Sequence, residues 1–339
     1  MIVIGSDVHR RHHGLEFADG LLGPSVEGPE RADLIDSALR AAGHAIEAPD
    51  PVDESLLGRV HTPQYIEFIA TAWDRWQQLP DAALAAMPFT WPARNASAVR
   101  PDDLIGQLGF HSFAADCSIV EGTWDAVRES AAISTTAADL VGAGERFAYG
   151  LCRPPGHHAT TDQFGGYCYV NNAAVAAQRL LDGGANRVAV LDVDYHHGNG
   201  TQQIFERRDD VLTVSIHADP MFEFPWFAGH ANEVGIDAGE GWNVNIPLPA
   251  GTDFGAWSSA LEPGLALIAS SDVEALVVSL GVDTFAGDPL GTFDIGTCDY
   301  TTMATRIAEL DLPTVIVQEG GYAVGDIGAN VAAFLAPLR

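Results

Sequence analysis

Along the second half of the chain, short runs of β-branched and apolar residues alternate with longer stretches of helical spacing. Val188–Asp192 (VAVLD) follows a Gly-Gly pair and reads as a buried strand. Val211–Ile216 (VLTVSI), Ala275–Leu280 (ALVVSL) and Thr314–Val317 (TVIV) share its character. Between them, Asn172–Leu181 has an Asn cap and an Ala-rich body, while Phe254–Ala269 and Tyr300–Leu310 carry helical spacing too. Earlier, MIVIGSD contains a short apolar strand, and Pro29–Ala42 and Pro63–Trp76 read as helices. The stretch 79–106 holds four prolines and mixed apolar residues, the mark of a long loop or insertion that shapes a site or an interface. Apolar strands separated by helices predict an α/β fold, a central mostly parallel β-sheet with helices on both faces. No linker, repeat or low-complexity tract divides the chain, so residues 1–339 are expected to form one domain. In this fold class functional residues sit just past the carboxyl ends of the strands. The unusual residues fall there: Asp192–Asn199 after the first strand, His217 after the second, Asp283 after the third and Glu319–Tyr322 after the fourth.

Composition narrows the chemistry. The 339 residues are 47% hydrophobic, enough for a sizeable core, but 46 acidic residues face 17 basic ones for a net charge of −29. Every basic residue is Arg. Without lysine there is no Schiff-base enzyme, no pyridoxal-phosphate anchor and no Walker P-loop. So acidic a surface also argues against nucleic acid as a partner and favours cationic ligands. No basic n-region opens the chain and no apolar run approaches the ~20 residues of a membrane span, so neither a signal peptide nor a membrane partner is expected. Cys117, Cys152, Cys168 and Cys298 form no CxxC pair and read as reduced thiols of a cytoplasmic protein.

Three clusters carry candidate chemistry. In Leu191–Gly200 (LDVDYHHGNG), extended backbone places Asp192, Asp194 and His196 on one side of the chain. Two carboxylates and an imidazole converging there are costly unless a cation compensates them. The donor set suits Zn²⁺, with Fe²⁺, Mn²⁺ or Co²⁺ as alternatives. A catalytic zinc site has three protein ligands, and the fold rule brings Asp283 (SLGVD) to the crevice as the third beside Asp194 and His196. In Arg153–His158 (RPPGHH), proline and glycine fix a non-helical loop. Its paired His157 and His158 are either ligands or acid–base groups. In Glu319–Tyr322 (EGGY), Gly320 and Gly321 permit close approach to a ligand, and Tyr322 can aim its hydroxyl at a developing oxyanion.

In this order, RPPGHH, GGYCYVNNAAVAA, VLDVDYHHGNGTQ, SLGVDTF and EGGY resemble the zinc-dependent histone deacetylase family and its bacterial relatives. GPERA at Gly28–Ala32 and TAWDRW at Thr71–Trp76 extend the likeness over the whole chain, and the latter looks most like the acetylpolyamine amidohydrolase branch. The resemblance implies an arginase/deacetylase fold and Zn²⁺ held by Asp194, His196 and Asp283, lowering the pKa of a water and polarising an amide carbonyl. It implies His158 as general base and then acid, His157 buttressed by Asp192 as an electrostatic group, Asn199 as the partner of His158, and Tyr322 as the oxyanion donor. It further implies Tyr167 and Phe224 as walls of an aromatic tunnel, with Gly166 beside them. A structural K⁺ near Asp192, Asp194, His196 and Ser215 is also implied.

In the polyamine branch the region matching 79–106 builds a homodimer and narrows the entrance, where carboxylates meet the cationic amine. Glu16 matches one such acid, but Ile105 stands where the other is expected, with Asp102 and Asp103 nearby. The reading is therefore an amidohydrolase releasing acetyl or other short acyl groups from small N-acylated amines, most of them cationic. The alternatives are a lysine deacetylase acting on peptides or proteins, which needs an open entrance, and a non-catalytic amide-binding protein on the same fold. A manganese ureohydrolase of arginase type fits the paired histidines and the Gly-Gly-Tyr poorly.

Overall fold

The computed structural model describes every residue except Asp19, Ala96, Ala98 and Arg339, so two alanines of the 79–106 stretch lie outside the described residues. β1 (Ile2–Ile4) is followed by an antiparallel hairpin of β2 (Leu15–Ala18) and β3 (Leu21–Pro24). Then come α1 (Glu30–Ala41), the two-residue β4 (Ile46–Glu47), α2 (Glu54–Val60) and α3 (Pro63–Gln77). Beyond the proline-rich stretch lie α4 (Leu104–Phe110), α5 (Thr123–Gly142), β5 (Phe147–Gly150), α6 (Asn172–Asp182) and β6 (Val188–Asp192). The chain continues through α7 (Asn199–Phe205), β7 (Val211–Ala218), β8 (Asn243–Leu248), α8 (Phe254–Ser270) and β9 (Ala275–Leu280). It ends with α9 (Thr297–Ala308), β10 (Thr314–Gln318) and α10 (Ile327–Leu335).

Caps explain several boundaries. Asn171 accepts the Ala174 N–H and opens α6, Asp253 accepts that of Ala256 and opens α8, and Thr62 with Pro63 opens α3. α9 starts at Thr297, three residues before its apolar spacing becomes clear, because the Asp299 carboxylate accepts the Gly296 N–H at 2.8 Å. Asp103 caps α4 by accepting from Ile105 and Gly106, so its carboxylate is engaged with backbone. Ile105 packs against the core.

Eight strands form one sheet in the order β4-β1-β5-β10-β9-β6-β7-β8, and every neighbouring pair is parallel. Alternation along each strand divides its side chains between two cores. Val188 and Val190 join one with α2, α3, α5 and α6, whereas Ala189 and Leu191 join the other with α1, α8, α9 and α10. Both faces are covered, which is why the central strands β6, β9 and β10 read as largely apolar runs. The protein is a single-domain α/β fold, as the strand–helix alternation predicts, and of the arginase/deacetylase kind that the resemblance implies.

The stretch before α4 is tied to the body by paired backbone bonds between Ala86 and Ile119 and by the Trp91 indole N–H donating to Ser112 Oγ at 2.9 Å. The cysteines are free, with Cys117, Cys152 and Cys168 buried and Cys298 exposed. Among the described residues no helix is long and apolar enough to cross a membrane.

Candidate active site

The carboxyl ends of the central strands β5, β10, β9 and β6 meet at one edge of the sheet, and the candidate residues follow directly from them. Past β6, Asp194 and His196 lie beside Asp283 from the end of β9, with one ligating atom of each within 4.8 Å of the others. His196 Nδ1 is 3.1 Å from Asp283 Oδ2 and 3.5 Å from Asp194 Oδ1. Backbone donors hold the carboxylates from behind: Tyr195 N–H to Asp283 at 2.9 Å and Gly320 N–H to Asp194 at 2.8 Å. Glycine is required around them, since a Cβ on Gly281 would stand 1.9 Å from Asp194 Oδ2.

The electrostatics of this cluster call for a cation. Burial and the neighbouring Asp194 push the Asp283 carboxyl up to about 7. His196 is raised to about 10, because hydrogen bonds to Asp194 and Asp283 outweigh its burial. Protons thus gather where a divalent ion would supply the same charge. One imidazole and two carboxylates, each braced by backbone, fit a divalent metal of the zinc class.

The paired histidines sit alongside in unlike surroundings. Their loop is anchored by Arg153, whose buried guanidinium donates to Glu27 and to the carbonyls of His9, His12 and Glu27. His157 Nδ1 lies 3.0 Å from Asp192 Oδ2, while His158 Nδ1 lies 2.7 Å from the amide oxygen of Asn199. The ring centroids are 4.0 Å apart. Burial opposes charge on His157, but Asp194 and Asp192 prevail and raise it to about 10. His158 moves the other way, well below its ordinary value, through burial and the adjacent His157 and His196. The pair therefore divides into a cationic and a neutral imidazole.

A cavity of about 250 Å³ opens onto this edge, lined by Asp116, His158, Gly166, Tyr167, His196, Glu223, Phe224, Trp226, Leu290 and Tyr322. Tyr167 stands 5.6 Å from the Tyr322 ring, and Phe224 meets His158 edge-on at 5.0 Å. A Cβ on Gly166 would collide with the His158 ring at 2.3 Å, so glycine lets this wall close on the imidazole. Glu16 is buried on β2 beside the Tyr167 hydroxyl, behind the wall rather than in it. Gly320 and Gly321 also stand behind, the first donating to Asp194 and the second accepting from Arg31 Nε at 2.6 Å. Ser215 lies opposite Asp192 in the β6–β7 ladder, its hydroxyl 2.8 Å from His217 Nδ1.

Sequence reasoning missed several residues that shape the site. Asp116 lines the cavity and accepts the Gly166 N–H at 2.9 Å, yet it is a single acid in an irregular segment with no motif around it. Asp288 accepts the backbone N–H groups of Tyr322 and Ala323. Arg31 is paired with Glu27 and sits 4.6 Å over the Tyr322 ring; its only signal is its place in GPERA.

The histone deacetylase domain matches residues 25–338. The chain belongs to the histone deacetylase family. Within that family it is 45% identical over 337 residues to acetylpolyamine amidohydrolase 2 of Pseudomonas aeruginosa, covering 99% of this chain and 98% of the relative. It is 47% identical to the acetylpolyamine amidohydrolase of Mycoplana ramosa with the same coverage. The crystal structure of acetylpolyamine aminohydrolase from Burkholderia pseudomallei superposes with a TM-score of 0.94 at 38% identity, over 99% of this chain and 98% of that one. Family membership and the metal-competent triad make this histone deacetylase relative a metal-dependent hydrolase.

Proposed function

We propose that the protein removes acetyl, or another short acyl group, from small cationic N-acylated amines such as acetylpolyamines. The observation that carries this reading is the meeting of His158, His196 and Tyr322 in one narrow cavity with aromatic walls. Relatives named for acetylpolyamines along their whole length support the substrate class.

Asp194, His196 and Asp283 would hold Zn²⁺, or Fe²⁺, Mn²⁺ or Co²⁺ in its place. When bound, the ion supplies a nucleophilic water near neutral pH and polarises the amide carbonyl. His158 is the neutral imidazole, so it receives the proton of the attacking water on the nitrogen turned away from Asn199 and returns it to the departing amine. His157, held as a cation by Asp194 and Asp192, steadies negative charge as it develops. The Tyr322 hydroxyl donates to the carbonyl oxygen during attack; burial keeps that phenol well above its ordinary pKa and hence protonated. Tyr167 and Phe224 clasp the aliphatic stem, and Asp116 with Glu16 behind it provides negative charge for a distal ammonium.

A structural K⁺ beside Asp192, Asp194, His196 and Ser215 belongs to the same reading, supported by the resemblance and by Ser215 standing opposite Asp192. So does a homodimer built through 79–106, supported by the exposure of Leu84 and Phe89 in that stretch. The cytoplasmic setting rests on the free cysteines.

The test is acetate release by the metal-loaded enzyme from N-acetylputrescine, N-acetylcadaverine, acetylspermidines, an acetyl-lysine peptide and uncharged N-acetyl amines. Preference for the acetylpolyamines upholds the reading. Preference for the peptide or the uncharged amines makes Ile105 the mark of a different substrate.

A further inference from the structure

Tyr322 follows two glycines, so its own backbone does little to hold it in place. Gly321 has a φ of +121°, and a Cβ there would stand 2.5 Å from Val282 Cγ2. A hydroxyl that donates to a developing oxyanion needs placing to within about half an ångström. The bonds that can place it come from outside the turn. On one side, Arg31 donates from Nε to the Gly321 carbonyl at 2.6 Å and from Nη2 to that of Glu319 at 2.8 Å. On the other, Asp288 Oδ2 accepts the N–H of Tyr322 at 2.6 Å and that of Ala323 at 3.0 Å.

The grip of Asp288 reaches further than these two bonds. The residue is buried, and its other oxygen accepts the N–H of Leu290, a cavity-lining residue, at 3.0 Å. Its loop leaves the end of β9 with Asp283 and folds back tightly on it, since a Cβ on Gly291 would stand 2.1 Å from the Asp283 carbonyl oxygen. One carboxylate thus joins the backbone of Tyr322 to the loop that carries Asp283. We infer that Asp288 is a positioning residue, which sets the place of the Tyr322 hydroxyl relative to the Asp194, His196 and Asp283 cluster. The inference rests on the reading of Tyr322 as the oxyanion donor. The residue type suits this task, because both oxygens of a carboxylate accept. An amide of the same shape would turn its NH₂ against the N–H of Leu290 or against those of Tyr322 and Ala323.

The test is a double-mutant cycle between positions 288 and 322. kcat and KM for acetate release from N-acetylputrescine are measured in each variant, and bound metal is counted. Asp288→Asn should lower kcat about tenfold or more, change KM by less than about twofold and leave the metal count as in the wild type. In a Tyr322→Phe background the same substitution should cost less than about twofold, because the hydroxyl it places is gone. Equal losses in the two backgrounds would make Asp288 a general support of the fold and overturn the inference, as would an unchanged kcat in Asp288→Asn alone. Unchanged turnover in Tyr322→Phe alone would instead overturn the oxyanion reading, and this inference with it. Hydrogen exchange adds a check that needs no turnover. The Tyr322 and Ala323 amides should exchange faster in Asp288→Asn while those of β9 and β10 keep their rates. Unchanged exchange at 322 and 323 overturns the positioning role whatever the enzyme's substrate.

Discussion

His158 Nδ1 and Asn199 Oδ1 are 2.7 Å apart, and that contact sets this imidazole apart from its neighbour, whose Nδ1 faces the Asp192 carboxylate at 3.0 Å. An amide orients the ring without charging it, whereas a carboxylate favours the imidazolium. The two adjacent histidines differ in protonation: Asp194 and Asp192 hold His157 cationic against its burial, whereas burial and the adjacent His157 and His196 keep His158 neutral.

Asn199→Asp tests this division. A carboxylate at 199 stabilises protonated His158 and raises its pKa from a position held low by burial and by His157 and His196. A base works only when neutral, so the acidic limb of the kcat/KM profile moves to higher pH, by about one unit or more. A profile that does not move would remove His158 from the base role.

Tyr322→Phe keeps the ring under Arg31 and deletes only the hydroxyl. Turnover should fall about a hundredfold while bound metal stays unchanged, the usual loss for one oxyanion donor. Unchanged turnover would show that the hydroxyl plays no part in the rate-limiting step.

Asp283→Ala removes one of two carboxylates facing His196 and frees the Tyr195 N–H that bonded to it. Metal content after dialysis should drop well below one ion per chain. Full retention there would show that the ligand set is different.

How much of this was legible beforehand depended on how locally each feature is encoded. Val188–Asp192 and Ala275–Leu280 are buried on both faces and therefore read as continuous apolar runs, which gave their limits directly. The edge strand β8 carries Asn243, Asn245 and Pro247, so its sequence lacks that signal, and only pairing with β7 makes it a strand. The β2–β3 hairpin likewise escapes notice, with Phe17, Leu21 and Leu22 exposed rather than packed inward. At the site, Asp194, His196 and Asp283 were readable because strand ends converge in this class of fold. The grip of Glu319 on Gly156 and His157 spans more than 160 residues, and no local pattern announces it. Asp116 is the same case without even a motif.

That aspartate carries the substrate prediction. Its carboxyl is pushed up to about 6, by burial first and with a contribution from Glu16, so it is ionised at neutral pH and loses its charge as pH falls through 6. A distal ammonium in the cavity would favour the charged form, and the missing acid at Ile105 leaves Asp116 a larger share of that contact. Asp116→Asn keeps an acceptor for the Gly166 N–H and removes only the charge. KM for acetylspermidine should then rise about tenfold, some 1.4 kcal/mol, while an uncharged N-acetyl alkylamine is turned over as before. The wild-type preference for the charged substrate should shrink below pH 6 and at high salt, and both effects should vanish in the variant. Equal losses on both substrates would mean that Asp116 supports the Gly166 turn rather than reading the amine.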